Sequence, residues 1–151
     1  MKGMIWNSDG FGDTGKHFTV KEAIREQSLD FVAIIETGRG DFASPFLDHL
    51  AGGFNFVWYV LPPHGRSGGI LVVFNDVVFT VQDVISGDFC IKFRLKNKSD
   101  GFLSSLVIVY GAAQEESKHL FLAEMVRICD NEPLPLLVGG FQYYTKTGRK
   151  E

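Results

Sequence analysis

The run Phe31-Val32-Ala33-Ile34-Ile35 is uninterrupted apolar sequence, and Glu36 follows it directly. A continuous run of this kind predicts a strand buried on both faces, so the rest of the chain must supply layers to cover it. The flanking sequence has the right signals. Lys2 to Trp6 predicts a short strand, and Asp9-Gly10-Phe11-Gly12-Asp13 a turn-rich loop. Thr19-Val20-Lys21-Glu22 reads as a capping box opening a helix. Ser44-Pro45 predicts a second helix, with Ser as the cap and Pro at the first helical position.

The middle of the chain is rich in strands. Asn55 to Leu61, Ile70 to Phe74 and Val78 to Ile85 each predict one. Phe89, Ile91, Phe93 and Leu95 alternate with Cys90, Lys92, Arg94 and Lys96, the pattern of a half-exposed strand. Leu103 to Tyr110 predicts another after an Asp100-Gly101 turn. Glu115 to Asp130 is the strongest helix, with Phe121, Met125 and Ile128 on one apolar stripe. Leu136-Leu137-Val138 closes the series as a buried strand ending in Gly139-Gly140. The order β-α-β-α-β-β-β-β-β-α-β predicts an α/β (α+β) fold with a mixed sheet and flanking helices.

Composition removes several function classes. The chain has 151 residues, of which 45% are hydrophobic and 14 are Phe, which excludes disorder as its main state. Its net charge of −3 excludes a nucleic-acid module held by bulk positive charge. No run approaches the roughly 18–20 apolar residues that span a bilayer. The apolar stretch near Met1 is too short for a signal-peptide core. Cys90 and Cys129 make no CxxC motif, so neither a disulfide scaffold nor a cysteine zinc site is implied. The expectation is an intracellular protein, nuclear or cytoplasmic.

Candidate chemistry lies at strand ends. Gly10 to Lys16 fits G-x-x-x-x-G-K between a strand and a helix, so a nucleotide-binding α/β module is one reading. His17 stands where that motif needs a Ser or Thr hydroxyl for Mg²⁺. Glu36 should present a carboxylate at the carboxyl end of a central strand, where open sheets place ligands. It is a hard oxygen ligand suited to Mg²⁺ or Mn²⁺. Asn7, Tyr110 and Gly139-Gly140 also fall at carboxyl ends of strands. If those strands are neighbours, a carboxylate, an amide and a phenol meet on one edge, which suits phosphodiester cleavage.

These residues carry a resemblance. The matching pieces are Trp6-Asn7 with Gly10-Phe11-Gly12 and Lys16, Ile35-Glu36-Thr37, and Arg66-Ser67-Gly68-Gly69-Ile70-Leu71-Val72. Val109-Tyr110-Gly111, Phe121-Leu122 and Pro135-Leu136-Leu137-Val138-Gly139-Gly140-Phe141 follow in order. The chain resembles the endonuclease/exonuclease/phosphatase superfamily, and within it the apurinic-type endonuclease domain of plant LINE-type (non-LTR) retrotransposons. The resemblance implies the N-terminal part of a DNase I-like four-layer α/β sandwich. It implies Mg²⁺-dependent (or Mn²⁺-dependent) phosphodiester hydrolysis with DNA as the substrate. Asn7 would be an active-site polar residue, Glu36 the metal ligand and Tyr110 a phosphate-binding phenol. The glycines of the Gly10–Lys16 segment then match the family's own strand-to-helix loop.

Departures from the family pattern bear on activity. The family's Gly-Asp-Phe-Asn motif reads Gly139-Gly140-Phe141-Gln142 here, so no carboxylate stands there and Gln142 replaces the amide. Family members continue to a late Asp and a Ser-Asp-His segment, whereas this sequence ends at Glu151. His17, His49, His64 and His119 do not occupy that role in order. Residues 1–151 are therefore expected to be a partial domain, a truncated and inactive remnant unless further sequence completes it. On this reading the abundant Phe residues are core chemistry for a larger domain. Exposed apolar sheet faces and self-association are then expected.

Overall fold

The computed structural model describes residues 1–63, 68–111, 115–130 and 132–140. The chain divides into two compact units, Met1–Phe79 and Thr80–Glu151.

The first unit contains β1 (Gly3–Asn7), α1 (Thr14–Gln27), β2 (Phe31–Ile35), α2 (Ser44–Ala51), β3 (Phe56–Leu61) and β4 (Ile70–Asn75). Its sheet has the order β1-β2-β4-β3. β1 and β2 are parallel, and β4 runs antiparallel to both β2 and β3. All residues of β2 are buried, as the apolar run requires. Val32 and Ile34 pack with Leu71 and Val73 against Val20 and Ile24 of α1 and Leu47 and Leu50 of α2. Phe31, Ala33 and Ile35, which alternate onto the other face, are buried as well.

Both helices of this unit start differently from expectation. α1 begins at Thr14, before the Thr19 capping box, because the Asp13 carboxylate accepts from Gly15 N at 2.7 Å and caps the end first. Thr19 sits inside the helix and donates its hydroxyl back to Gly15 O at 3.0 Å. In α2 the cap position is Ala43 without a side-chain bond, and Ser44 is already helical. Pro45 fixes that first turn through its own φ rather than following a Ser cap.

The second unit contains most of β5 (Phe79–Ser86), then β6 (Cys90–Asn97), β7 (Leu103–Val109), a 3₁₀ turn (Glu115–Ser117), α3 (Lys118–Cys129) and β8 (Leu136–Gly139). Its sheet order is β5-β6-β7-β8, with β6 and β7 antiparallel and β7 and β8 parallel. The expected element order is present, and the strands form two four-stranded mixed sheets with flanking helices, as the resemblance implied. Cys90, Val107 and Val109 pack with Phe121 and Ile128 of α3, and Met125 is half-buried beside them.

Three expectations for this unit need correction. The alternating face of β6 is not simply solvated, because Lys92 on it is buried with its Nζ donating to Ile128 O at 3.1 Å. Ile91, Phe93 and Leu95, on the face expected to be bare, are buried, as are Leu106 and Ile108 opposite them. The strand expected to be buried, β8, ends the described sheet and leaves Leu136 39% and Leu137 46% exposed. Other exposed large apolar side chains of this unit are Ile85 on β5, Phe102 and Leu103 at the start of β7, and Leu120, Leu122 and Val126 on α3.

One buried charge in this unit holds a turn. Glu124, on the apolar side of α3, accepts from Asp88 N (2.9 Å), Phe89 N (2.9 Å) and Cys90 N (3.1 Å). The carboxylate thus satisfies the amides at the β5–β6 hairpin that no strand partner reaches. Burial, then the Glu124 carboxylate beside it, push the Cys90 thiol far above its ordinary range, so it is inert.

Candidate functional site

β1 and β2 end side by side. Asn7, the last residue of β1, pairs with Ile35, and Glu36 is the next residue along β2. The parallel ladder continues into the loops. Ser8 N donates to Ile35 O at 3.0 Å, Gly10 N to Glu36 O at 2.7 Å, and Phe11 N to Thr37 O at 2.9 Å. The Ser8 hydroxyl, buried, adds bonds to the carbonyls of Ile35 and Glu36, both at 3.1 Å. Glu36 itself has a φ of 56°, in the left-handed region, and its side chain is half-buried.

Asn7 and Asp9 are tied by a local turn, with Asp9 N donating to Asn7 Oδ1 at 3.0 Å. The Asn7 oxygen is therefore engaged in its own loop, and its NH₂ is the group left to donate to a ligand. Asp9 lies between Ser8 and Gly10, both bonded to the Glu36 carbonyl, so this edge carries a second carboxylate. Asp9 is not evident as a site residue from sequence, although it stands two residues beyond Asn7.

The Ser-Gly-Gly segment reaches the same edge from the antiparallel neighbour. Thr37 N donates to Gly69 O at 3.2 Å and Gly38 N to Gly68 O at 2.9 Å. Gly68 and Gly69 have φ of 92° and 91°, which lets the backbone entering β4 lie against the Glu36 loop. Arg66 and Ser67 lie outside the described residues. Three residues past Glu36, the Arg39 guanidinium lies over the Phe42 ring at 5.2 Å.

The Gly10–Lys16 segment is not a phosphate cradle. Lys16 Nζ donates to the carbonyls of Ser8 (2.7 Å), Asp9 (3.2 Å) and Gly10 (2.9 Å). An ammonium has three donors, and all are spent on its own loop. The N-terminus of α1 is likewise occupied by the Asp13 carboxylate. The nucleotide-binding reading is corrected on these contacts.

In the second unit, Tyr110 follows β7 and is half-buried, with its backbone N donating to Phe89 O at 2.7 Å. β8 is parallel to β7, with Ile108 paired to Gly139, so Tyr110 and Gly139-Gly140 share one edge of their sheet. Gly140 has a φ of 98°, and a Cβ there would stand 2.6 Å from Val109 O. The backbone is thus shaped for glycine at position 140. Gln142 lies outside the described residues.

The structure brings Asn7, Asp9 and Glu36 together on one edge of the first sheet, and Tyr110 and Gly139-Gly140 together on one edge of the second. Among the described residues no group of three or more His, Cys, Asp or Glu could hold a metal ion. The metal donors this edge offers are the two carboxylates of Asp9 and Glu36, both oxygen ligands. Such a set fits Mg²⁺, which keeps much of its water shell and takes one or two protein carboxylates. Among the described residues no helix is long and apolar enough to cross a membrane.

No protein-family model and no curated protein matches the chain. Solved structures do match its fold. The human Nocturnin catalytic domain, determined with a bound sulfate anion, aligns with a TM-score of 0.65 at 15% identity over 90% of this chain. An endonuclease/exonuclease/phosphatase family protein from Bacteroides thetaiotaomicron aligns at 0.61 with 11% identity over 90%. Truncated Caenorhabditis elegans TDP2 aligns at 0.56 with 17% identity over 90%. This chain spans 62%, 61% and 60% of those three chains, respectively. The chain therefore has the DNase I-like α/β fold of these endonuclease/exonuclease/phosphatase proteins, over about three fifths of its extent in them.

Proposed function

We propose that this chain is a remnant of a Mg²⁺-dependent phosphodiesterase domain of the retrotransposon endonuclease type, with DNA as its inherited substrate and no appreciable nuclease activity of its own. The observation that carries the reading is the junction of Asn7 and Glu36 at the carboxyl ends of two parallel, adjacent strands. In this reading Glu36 holds the metal, with Asp9 beside it, and the Asn7 NH₂ donates to a phosphoryl oxygen. Tyr110 supplies a phenol to phosphate, and Gln142 stands in for the family's amide. The ion, when bound, supplies Lewis-acid stabilisation of charge on the phosphoryl oxygen. Inactivity follows from the absence of an acid in Gly139-Gly140-Phe141-Gln142, since removal of one member of a catalytic unit commonly costs orders of magnitude in rate. The second reading is an active, intracellular Mg²⁺-dependent DNA endonuclease when further sequence completes the domain.

The test combines metal binding with nicking. Mn²⁺, followed by its paramagnetic signal, should bind the purified protein and lose most of its affinity in Glu36→Ala. Supercoiled plasmid with Mg²⁺ should remain uncut. Equal Mn²⁺ affinity in both proteins would remove the metal site, and Glu36-dependent nicking would remove the inactivity.

Self-association belongs to the same reading. The exposed Leu136 and Leu137 on β8 offer an apolar edge for a second copy to pair with. Light scattering should then show dimers that Leu137→Lys disperses, and a monomer at all concentrations would count against it.

A further inference from the structure

Within the second unit, β6 and the end of α3 enclose a pocket of about 330 Å³ lined by Lys92, Arg94, Arg127, Ile128, Asp130 and Glu132, among others. Three cations face two carboxylates, so the lining carries one net positive charge. Glu132, with its side chain 1% exposed, is the shared anion. Its Oε2 receives Lys92 Nζ at 2.5 Å and Arg94 Nη2 only at 3.4 Å, and its Oε1 accepts Leu134 N at 3.3 Å. Lys92 is thereby satisfied between Glu132 and the Ile128 carbonyl.

The arginines are not satisfied in the same way. Arg94 Nε is buried and has no hydrogen-bond partner. Ser105 Oγ is buried without a partner too, and Ser105 is the residue paired with Arg94 across β6 and β7. Paired residues of an antiparallel ladder point to the same face. Arg127 makes no ion pair among the described residues. Buried polar atoms left open on this face are costly, and Arg94, which carries one of them, lines the pocket. Arg guanidinium groups present planar forks that match the oxygens of phosphate.

We propose that this pocket binds a small phosphate oxyanion, free or as a monoester, through Arg94 and Arg127, with the Lys92–Glu132 pair as its fixed floor. Asp130 on the rim disfavours a second anion and limits the site to one. The site does not depend on the Asn7–Glu36 edge, so it stands whether or not that edge holds metal.

Calorimetric titration of the full chain with inorganic phosphate, and separately with phenyl phosphate, tests this. Both should give saturable binding near a 1:1 ratio. Arg127→Gln, an exposed change that leaves the Glu132 contacts intact, should weaken it about tenfold, and Arg94→Gln by at least as much. Glu36→Gln should leave it unchanged. Circular dichroism confirms that each variant folds, and Arg127→Gln keeps the test decisive if Arg94→Gln does not. No saturable heat with either anion, or phosphate affinity untouched by Arg127→Gln, would overturn the proposal.

Discussion

Thr37 and Gly69 are bonded across the start of β4, Thr37 N to Gly69 O at 3.2 Å, and a Cβ on Gly69 would collide with the Thr37 hydroxyl. Gly69 also holds a φ of 91°. Gly69→Ala should therefore lower unfolding free energy by about 2 kcal/mol or more, since handedness and contact both oppose the methyl. Urea denaturation measures it. A loss below about 0.5 kcal/mol would mean that the loop after Glu36 is free to shift.

The Lys16 clip is expected to be structural. Lys16→Met removes three donors from the loop that carries Ser8, Asp9 and Gly10. A loss of about 2 kcal/mol is expected, the range for hydrogen bonds to a charged group. ATP should stabilise neither the parent protein nor the variant in thermal melts. ATP-dependent stabilisation lost in Lys16→Met would restore the nucleotide-binding reading.

Glu132 makes stability depend on acid. Burial alone would push its carboxyl up, but the Lys92 hydrogen bond, the Leu134 amide and the nearby charges of Lys92 and Arg94 outweigh burial and hold it at about 2. The folded value lies below the unfolded one near 4.5. The unfolded chain therefore binds the proton first as pH falls. The contribution is complete above about pH 4.5 and is lost on the way down to about pH 2. In Glu132→Gln the fall in stability over that window should be shallower. Parallel curves for the two proteins would show that the pair does not form.

An acid introduced at Gly140 should disrupt the local backbone rather than confer nuclease activity. Gly140→Asp places a side chain 2.6 Å from Val109 O at a φ of 98°. The variant is expected to lose about 2–4 kcal/mol and to nick plasmid no faster than the parent. Plasmid nicking that appears with Gly140→Asp would contradict this expectation.

Much of the fold was legible because its strands are long in apolar signal. Phe31–Ile35 occupies β2 without a shift at either end, and Asn7 and Glu36 fall at strand ends as read. What escaped was decided by partners distant in sequence. The alternation around Lys92 reads as solvated until α3 and Glu132 cover it. Glu124 reads as a polar position on a helix until the hairpin amides, about 35 residues earlier, come to it. Leu136 and Leu137 read as core, but a strand with one neighbour among the described residues leaves its outer edge open. At Asp13 a local signal did exist, and a stronger-looking capping box six residues later outweighed it.

Glu36 carries a further consequence through its backbone. Glutamate rarely adopts the left-handed conformation, and holding it there costs about 1–2 kcal/mol relative to ordinary backbone. Glycine at this position would release that strain while leaving the carbonyl free to accept from Ser8 and Gly10. Glu36→Gly should thus melt above Glu36→Ala, which loses the same side chain but keeps the strained backbone. Equal melting temperatures would show that the left-handed backbone costs nothing here. The fold tolerates a local penalty at the residue that follows its most buried strand.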